Sequence, residues 1–278
     1  TASATAWYVG AVPLEPLMAL YLPMEGGATN ALSDFSGNGI TAVTHGDPAW
    51  LPNGGHDGNG AWEFDGSGDD LSGGDNFPAG QSYTKTAWVY RTGSGQNGGN
   101  NIISGDQDPN GHALWAPDSY GNRLSGGHNA NWDIVQDDVA LALNTWYFVA
   151  LSYDAATHHM KLFKNGVMVD SALVAPADQT VADQTISIGS FGASNGWMWQ
   201  GRIDDARVWN RALSKDQILS LYAAGENVIK WSETEVGDDW QARVTAFTAS
   251  DVGSTAMSDT VTIVSEIPAP PVIVSIPD

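Results

Sequence analysis

The feature that most restricts the fold of this chain is a series of short β-type segments separated by turn-forming residues. Each segment is rich in β-branched and aromatic residues and is bounded by Gly, Asn or Asp. The 32 glycines lie mostly in the intervening loops, so the apolar residues are concentrated in the strands. This pattern predicts a β-sandwich. The predicted strands are Leu17–Pro23, Ala61–Phe64, Tyr83–Tyr90, Asn101–Ser104, His112–Ala116, Asn122–Ser125, Trp146–Tyr153, Met160–Lys164, Val167–Leu173, Thr185–Ile188, a closing strand with Ile203, Ala206, Val208 and Trp209, and Asn227–Ser232, Asp239–Ala249 and Met257–Val264, with a further strand-like segment within Thr1–Leu14.

One tight hairpin and one helix can be placed within this series. Asn165 and Gly166 stand between two predicted strands, and Asn-Gly is the pair that accepts positive φ at both central positions of a two-residue turn. Ser214 precedes Gln217 by the spacing of a capping box, and Gly225 supplies a C-terminal stop. The sequence therefore predicts a single short amphipathic helix.

Five longer motifs follow one another along the chain. They are YLPMEG at Tyr21–Gly26, DFSGNG at Asp34–Gly39, FDG at Phe64–Gly66, NTWYFVALSYD at Asn144–Asp154 and GRIDDARVWNRALSKDQILSLYAAG at Gly201–Gly225. The set resembles the laminin G-like branch of the concanavalin A-like jelly rolls. The resemblance implies an all-β fold, with two antiparallel sheets stacked as a curved sandwich and ligand loops at one rim. Lectins, carbohydrate-binding modules, peptide-binding adhesin domains and glycosidases share this fold, so it names no ligand.

The segments outside the jelly-roll region show a second resemblance. VGDDWQARVTAFTAS and SDTVTI are similar to the tail of immunoglobulin-like repeats in large bacterial surface proteins, which normally follows a segment like Trp7–Pro13. The resemblance implies a small split immunoglobulin-like β domain into which the jelly roll is inserted. The expected division is 1–15 for its first part, 16–225 for the jelly roll, 226–266 for its second part and 267–278 for a linker. The alternative is two unrelated flanking linkers.

The charge balance restricts the partners. Eleven Lys and Arg against 32 Asp and Glu give a net charge of −21, which disfavours unaided binding to nucleic acid or to an anionic membrane. The acidity fits either specific divalent-cation sites or solubility in a salty medium. No cysteine occurs, so disulfides and thiolate metal sites are excluded. With no long apolar run and no N-terminal signal pattern, the sequence is expected to be a piece of a longer protein.

The densest acidic motif is a D-x-D-x-N-G loop formed by Asp106, Asp108, Asn110 and Gly111. It places oxygens on alternating residues, and calcium takes about six to eight such ligands. Resemblance to the pentraxins, relatives with the same fold, implies a calcium site shared between this loop and the FGASNGW loop, where Asn195 is the strong side-chain ligand. The alternative is an Asx-rich turn that satisfies its own backbone. Ca²⁺ is thus the expected cofactor.

A second acidic pair, Asp204 and Asp205, interrupts the strand before the helix, and buried carboxylates need a cation or hydrogen-bond partners. In related jelly rolls a structural cation joins the first strand, a turn after the FDG-like strand and an acidic residue of the closing strand. The alternative is hydrogen bonding of the two aspartates to Arg202, Arg207 or backbone amides. The residues that the resemblance matches to a structural calcium are Glu25, Asp65, Gly68 and Asp204.

Twelve tryptophans are many for this length. Sugar rings pack their apolar faces on aromatic planes, while Asn, Asp and His bond their hydroxyls. Trp88, Trp146 and Trp209 fall inside predicted strands and are expected to pack in the core. The predicted ligand-binding residues are Trp115, His128, Asn129, Trp132, Asp133 and Trp197. For the three tryptophans in this set, packing is an equal alternative.

The leading hypothesis is a lectin-like, non-catalytic module that binds a glycan with the help of calcium. It would belong to a secreted bacterial adhesin at the cell surface, act as a monomer, mediate attachment to surfaces or cells, and also be able to bind peptide. Jelly-roll glycosidases use an E-x-D-x-x-E strand, but no glutamate occurs between Glu63 and Glu226, so no catalytic residue is predicted. The alternatives are a calcium-stiffened spacer and, less favoured, a glycosidase-related module.

Overall fold

The computed structural model of the chain describes residues 2–9, 12–13, 18–105, 111–177, 185–192, 196–224, 236–237, 239–247 and 251–264. Helix α1 spans Lys215–Ala224, and short 3-10 turns occupy Asn30–Leu32, Gln96–Gly98 and Asp118–Tyr120. The strands are β1 Ala2–Val9, β2 Val12–Pro13, β3 Met18–Leu22, β4 Val43–His45, β5 Ala49–Leu51, β6 Ala61–Asp65, β7 Asp70–Asp75, β8 Tyr83–Arg91, β9 Ile103–Gly105, β10 Ala113–Trp115, β11 Arg123–His128, β12 Asn131–Ala140, β13 Trp146–Asp154, β14 His159–Lys164, β15 Val167–Leu173, β16 Thr185–Ile188, β17 Gln200–Trp209, β18 Asp239–Phe247, β19 Val252–Met257 and β20 Val261–Thr262.

Two antiparallel layers form the main body of the fold. The larger layer is an eight-stranded sheet in the order β15-β14-β13-β8-β17-β6-β5, with β3 paired to β17. The smaller layer consists of the sheets β4-β7-β16-β9 and β10-β11-β12. Bridges of Asn101 with Trp115 and of Gly105 with His112 join these two sheets. The predicted two-sheet jelly-roll sandwich with one short helix is confirmed.

The two-residue period of a strand explains where the core lies. Along β13, Val149 and Leu151 face the main core between the layers, whereas Phe148 and Ala150 join a second apolar cluster. Helix α1 contributes Ile218 to that second cluster. The larger layer is therefore packed on both faces, which is why the residues of its central strands β13, β8 and β17 are all buried or half-buried.

Local chemistry explains the hairpin and the start of the helix. Asn165 and Gly166, with φ of 50° and 75°, connect β14 to β15 as predicted. The Gln217 backbone N–H donates to Ser214 Oγ at 3.2 Å, and the Ser214 N–H donates to Gln217 Oε1 at 2.8 Å. The predicted capping box is thus confirmed, while Gly225 lies outside the described residues.

The sequence pattern misses four strands of the sandwich: β4, β5, β7 and β12. β7 has the sequence DLSGGD, without β-branched residues, yet it pairs with β4 on one side and β16 on the other. Gly73 in this strand lies against Leu20 so closely that a side chain would clash. Strand formation here depends on pairing with the neighbouring strands, and the intrinsic β propensity of the residues does not indicate that pairing.

The segments that flank the jelly roll in sequence pair in a separate five-stranded sheet. β1 and β18 are antiparallel from Ala2 opposite Phe247 to Val9 opposite Trp240, and β2, β19 and β20 extend the sheet. Assignment of this sheet to an immunoglobulin-like domain stays a prediction. The predicted strand Asn227–Ser232 and the predicted linker 267–278 lie outside the described residues.

Candidate functional site

A β-bulge in β17 separates the two adjacent aspartates. Asp205 has a φ of 53°, and the register of β17 against β8 shifts between Asp204 and Arg207. Asp204 is buried, whereas Asp205 is half-buried and accepts hydrogen bonds from Arg207 Nη2 at 2.8 and 2.9 Å. Arg207 is thus a partner of Asp205. Arg202 pairs instead with Glu63, at 3.1 Å.

The glycine-rich loop after β5 covers Asp204. The backbone N and the Nδ1 of His56 lie 3.0 and 2.7 Å from Asp204 Oδ2. The His56 ring stacks on Trp88, with ring centroids 4.1 Å apart. His56, Asp57 and Asp204 offer ligand atoms that all lie within 4.8 Å of one another. The loop can approach this closely because position 55 is glycine, where a Cβ would lie 2.7 Å from Asp204 Oδ2.

Glu25 completes the group of residues that we call the Asp204 cluster: Glu25, His56, Asp57 and Asp204. Glu25 is 7% exposed, and its Oε2 accepts a hydrogen bond from the Gly60 N–H at 3.1 Å. Burial, reinforced by the negative charges of nearby aspartates, raises the pKa of Glu25 to about 8. Burial also raises the pKa of Asp204 to about 6, against the hydrogen bond from His56. The cluster therefore concentrates oxygen ligands and negative charge that a hard cation would compensate.

The structure brings Glu25 and Asp204 together but places Asp65 elsewhere. In the ladder between β6 and β17, Asp65 lies opposite Gln200, four residues before Asp204. At the rise of a strand this offset is about 13 Å. The turn that ends at Gly68 therefore belongs to another part of the surface.

Asp65 forms a second acidic group with Asp47 and Asp69, whose ligand atoms all lie within 4.8 Å of one another. The buried Asp69 accepts hydrogen bonds from the backbone N–H groups of Asp47 at 2.9 Å and Asp65 at 3.0 Å. Burial raises the pKa of Asp69. The three carboxylates line a cavity of about 230 Å³ together with Glu63 and Gln200.

The residues predicted for the rim calcium, Asp106, Asp108, Asn110 and Asn195, lie outside the described residues. Strands on both sides of the D-x-D-x-N-G loop are described, and Gly105 and His112 exchange backbone hydrogen bonds of 3.1 and 2.9 Å. The loop therefore connects two adjacent strands of the smaller layer. A calcium ion in it stays a prediction.

Three aromatic side chains form what we call the aromatic rim: Trp115, Tyr120 and Trp197. The Trp115 ring packs edge-to-face on Trp197 and on Tyr120, with centroid distances of 6.2 and 6.1 Å. Trp197 is 42% exposed. Among the Trp, Tyr and Phe side chains that the structure describes, it is the one classed as exposed. The structure therefore brings together two of the predicted ligand-binding tryptophans.

The backbone of Trp197 has an uncommon conformation. Its φ is 57°, in the left-handed region, and it follows Gly196 with a φ of 98°. Hydrogen bonds enforce this turn, because the Trp197 carbonyl accepts from the Asn101 N–H at 3.0 Å and the Gly196 carbonyl accepts from the Phe191 N–H at 3.1 Å. The indole is thus held outward by its surroundings.

Polar groups flank the aromatic rim. The exposed Asp118 accepts a hydrogen bond from Ser94 Oγ at 2.6 Å. The exposed Asp133 interacts with Tyr120 of the rim. The pKa of Tyr120 is raised by burial and further by the charge of Asp133 and its hydrogen bond. Carboxylates therefore stand beside exposed aromatic surface, an arrangement able to bind a ring with hydroxyl groups.

His128 does not belong to the aromatic rim, although the sequence suggests it. It is 1% exposed, its Nδ1 lies 3.3 Å from the Tyr83 hydroxyl, and its Nε2 lies 2.9 Å from the Ala175 carbonyl oxygen. Burial lowers the pKa of His128 to about 4. This imidazole is part of the core, so it is not available to a ligand at the rim.

Asn129 and Trp132 have structural contacts of their own. The half-buried Asn129 donates its Nδ2–H to the Pro176 carbonyl at 2.8 Å. The half-buried Trp132 packs edge-to-face on Phe191, with centroids 4.9 Å apart, and its carbonyl accepts the indole N–H of Trp115 at 2.8 Å. Trp132 therefore supports the rim through Trp115.

Sequence reasoning missed His56 and Asp57 of the Asp204 cluster, Tyr120 of the aromatic rim, and Asp47 and Asp69 of the second acidic group. The first two had a signal, since NGGHDGNG places ligand-capable side chains among glycines that permit close backbone approach. Tyr120 lies in a short 3-10 turn, and nothing in its local sequence marks it. Its position beside Trp115 follows from tertiary packing alone.

Comparison with known proteins agrees with this architecture. A family model described as the concanavalin A-like lectin/glucanases superfamily matches residues 53–219. The chain belongs to this superfamily. A comparison with curated proteins found no match.

Several solved structures share the fold. Domain 4 of AbnA, a GH43 extracellular arabinanase from Geobacillus stearothermophilus in complex with arabinotriose, is 21% identical with a TM-score of 0.56, over 74% of this chain and 98% of that one. The receptor-binding domain of botulinum neurotoxin type G is 18% identical with a TM-score of 0.53, over 77% of this chain and 52% of that one. Trypanosoma rangeli sialidase in complex with the inhibitor DANA is 14% identical with a TM-score of 0.55, over 75% of this chain and 32% of that one.

These identities establish a shared fold and no shared activity. Within the described part of the chain, no helix has the length and apolar character needed to cross a bilayer.

Proposed function

We propose that this chain is a non-catalytic, lectin-like module that binds glycans at the aromatic rim. The observation that carries the proposal is Trp197, a large aromatic side chain held exposed on a left-handed backbone. Such a conformation costs a bulky residue on the order of 1–3 kcal/mol. Backbone strain of this kind is concentrated at ligand sites, where the surrounding structure enforces it.

The aromatic rim offers both kinds of contact that bind a sugar: an aromatic face for packing and acceptors for hydrogen bonds. The apolar face of a sugar ring would pack on the Trp197 indole, with the Trp115 edge behind it. Ring hydroxyls would donate to the carboxylates of Asp118 and Asp133, which are both exposed. The arabinotriose complex of the AbnA domain supports the proposal at the level of the fold.

Calcium is proposed at two places. The Asp204 cluster fits a structural ion because carboxylate oxygens of Glu25, Asp57 and Asp204 are hard ligands in a negatively charged, largely buried setting. The ion would fasten the segment after β3 to the closing strand β17. The rim calcium is supported by ligand spacing alone, and its residues are Asp106, Asp108, Asn110 and Asn195.

The wider context is also a proposal. Resemblance of the flanking segments to immunoglobulin-like repeats supports an extracellular bacterial adhesin, and the pairing of β1 with β18 is compatible with an inserted jelly roll. A non-catalytic role is supported by the lack of any glutamate between Glu63 and Glu226, where related glycosidases carry their acid and nucleophile.

The test is glycan-array binding followed by calorimetry on the best neutral oligosaccharide. Trp197→Ala should weaken binding by at least about tenfold, because an aromatic contact at the centre of a site commonly contributes more than about 1.4 kcal/mol. Trp146→Ala, at a half-buried tryptophan outside the rim, is the matched control and should retain affinity. Failure of the wild type to bind any glycan would favour the spacer function instead.

A further inference from the structure

We propose that the aromatic rim selects uncharged sugars and rejects glycans that present a carboxylate or sulfate to it. The inference rests on the proposed glycan-binding function and names the ligand class of the same site. It follows from where the two flanking carboxylates lie relative to the exposed indole.

Asp118 stands at one side of the indole. A Cβ placed on Gly98 would lie 3.1 Å from Asp118 Oδ2, and Gly99, the next residue, is packed directly against Trp197. Asp118 and Trp197 therefore contact two adjacent residues, and a sugar on the face of Trp197 would lie on the same part of the surface as the Asp118 charge. Ser94 fixes this carboxylate through the 2.6 Å hydrogen bond to its Oδ1.

Asp133 is the second carboxylate next to the aromatic rim. It interacts with Tyr120, whose ring is 6.1 Å from that of Trp115, which in turn is 6.2 Å from that of Trp197. The rim therefore has one carboxylate near Trp197 and another at Tyr120. An anionic ligand that covers the rim would meet like charge from both.

Two guanidinium groups near the rim donate hydrogen bonds to the protein itself, those of the buried Arg91 and the half-buried Arg123. Arg91 is 8% exposed and donates to the Leu141 carbonyl at 2.8 Å and to Asn122 Oδ1 at 3.1 Å. Arg123 donates its Nε–H to the Tyr120 carbonyl at 2.9 Å. Recognition of an acidic sugar would instead require a guanidinium fork presented to the ligand.

The whole-chain charge acts in the same direction. A net charge of −21 adds a general repulsion of anions, although salt screens it beyond about 8 Å under physiological conditions. The discrimination should therefore be set mainly by the two adjacent aspartates. We expect an acidic probe to bind about tenfold more weakly than its neutral counterpart, which corresponds to about 1.4 kcal/mol.

The experiment uses probes that differ mainly in charge. Methyl-esterified galacturonan oligosaccharides are compared with the same material after de-esterification, and lactose is compared with 3′-sialyllactose. Binding is measured by calorimetry on the full chain, in chelator so that no calcium bridges the acids. The variants are Asp118→Asn/Asp133→Asn and, as a control with the same net charge, Asp216→Asn/Asp259→Asn at exposed positions outside the rim.

The expected result is a preference for the neutral probe that is largest at low salt and narrows in about 0.5 M NaCl. The ratio of the two dissociation constants should fall toward one in Asp118→Asn/Asp133→Asn and stay unchanged in the control. Equal or tighter binding of the acidic probe would overturn the inference while leaving glycan binding intact. A neutral preference that the rim variant does not alter would overturn the assignment to these aspartates. Absence of binding to every probe, in calcium as well as in chelator, would refute the proposed function itself.

Discussion

Three basic side chains, Lys85, His112 and His128, are buried in the core between the two layers. Lys85 Nζ donates to the carbonyl oxygens of Ile103 at 3.1 Å and of His112 at 2.8 Å. Burial lowers the pKa of Lys85 and of His112 well below their ordinary values and that of His128 to about 4. The core therefore holds these groups best in their neutral forms, and protonation works against folding.

The first prediction concerns acid stability. An unfolded histidine takes up a proton near pH 6.5, whereas folded His128 does so near pH 4. The unfolded state therefore binds more protons between these values, and stability falls as pH drops from about 6.5 to 4. For His128 the full loss is about 3 kcal/mol.

Denaturant unfolding at several pH values measures this effect. His128→Gln should make the free energy of unfolding fall less steeply between about pH 6.5 and 4, because glutamine can keep hydrogen bonds without titrating. His159→Gln, at the exposed first residue of β14, is the control and should not flatten the pH dependence. The same loss of stability at acid pH in the wild type and in His128→Gln would contradict the prediction.

At the scale of single residues, the sequence predicts the features that depend only on residues close by in the chain. Asn165-Gly166 and the Ser214–Gln217 capping box act over a few residues, and both are found as predicted. His128 is different, because GGH resembles a polar loop. In β11, however, Gly126 lets the layers approach so closely that a Cβ there would lie 2.7 Å from Leu151 Cδ1, and the strand becomes enclosed.

Among the elements, the loop after β5 and the bulge of β17 together form the Asp204 cluster. Resemblance to related jelly rolls pointed to Glu25 and Asp204, which the structure does bring together. It did not point to His56 or Asp57, because the approach of their loop depends on Gly55 and Gly60 meeting other backbone segments. Such close contacts form only in the folded chain, and in the sequence only the glycines indicate them.

The second prediction concerns the structural ion. Calcium at about 100 times its dissociation constant should stabilise the fold by about 2.7 kcal/mol relative to chelator. The effect should be larger at pH 8 than at pH 6, because the raised pKa of Glu25, about 8, means that the ion must displace a proton at the lower pH. Thermal unfolding in calcium and in EGTA at both pH values measures it.

Variants assign the ion to one acidic group or the other. Asp204→Asn should remove the calcium response, whereas Asp69→Asn, at the buried aspartate of the second acidic group, should keep it. The reverse pattern would place the ion at Asp47, Asp65 and Asp69. A wild type with the same unfolding midpoint in calcium and in EGTA would contradict a structural ion at either place.

For the molecule as a whole, the jelly roll contains its own core. Every buried member of the two apolar clusters lies between Met18 and Leu221. The flanking sheet touches the second cluster through the partly buried Val252. The sequence could assign the jelly roll from its motifs, and the resemblance of the flanking segments implied that they belong together. The register of β1 with β18, which joins residues more than two hundred positions apart, needed the structure.

The third prediction follows from this division. A chain limited to residues 16–225 should fold cooperatively and bind the same glycan with unchanged affinity, because the aromatic rim and both clusters remain. Loss of the Val252 contact should lower the midpoint of thermal unfolding by only a few degrees. Circular dichroism and calorimetry test this, and an unfolded or non-binding fragment would show that the flanking sheet is needed.

The most direct measurement of the central claim is a titration of the isotope-labelled protein with the best neutral oligosaccharide, followed through the tryptophan indole N–H signals in NMR spectra. The Trp197 signal, assigned by its loss in Trp197→Phe, should shift most, and that of Trp115 should follow because its ring contacts Trp197. Signals of the buried Trp62 and Trp209 should stay in place. Saturable glycan binding that leaves the Trp197 signal unmoved would contradict the account.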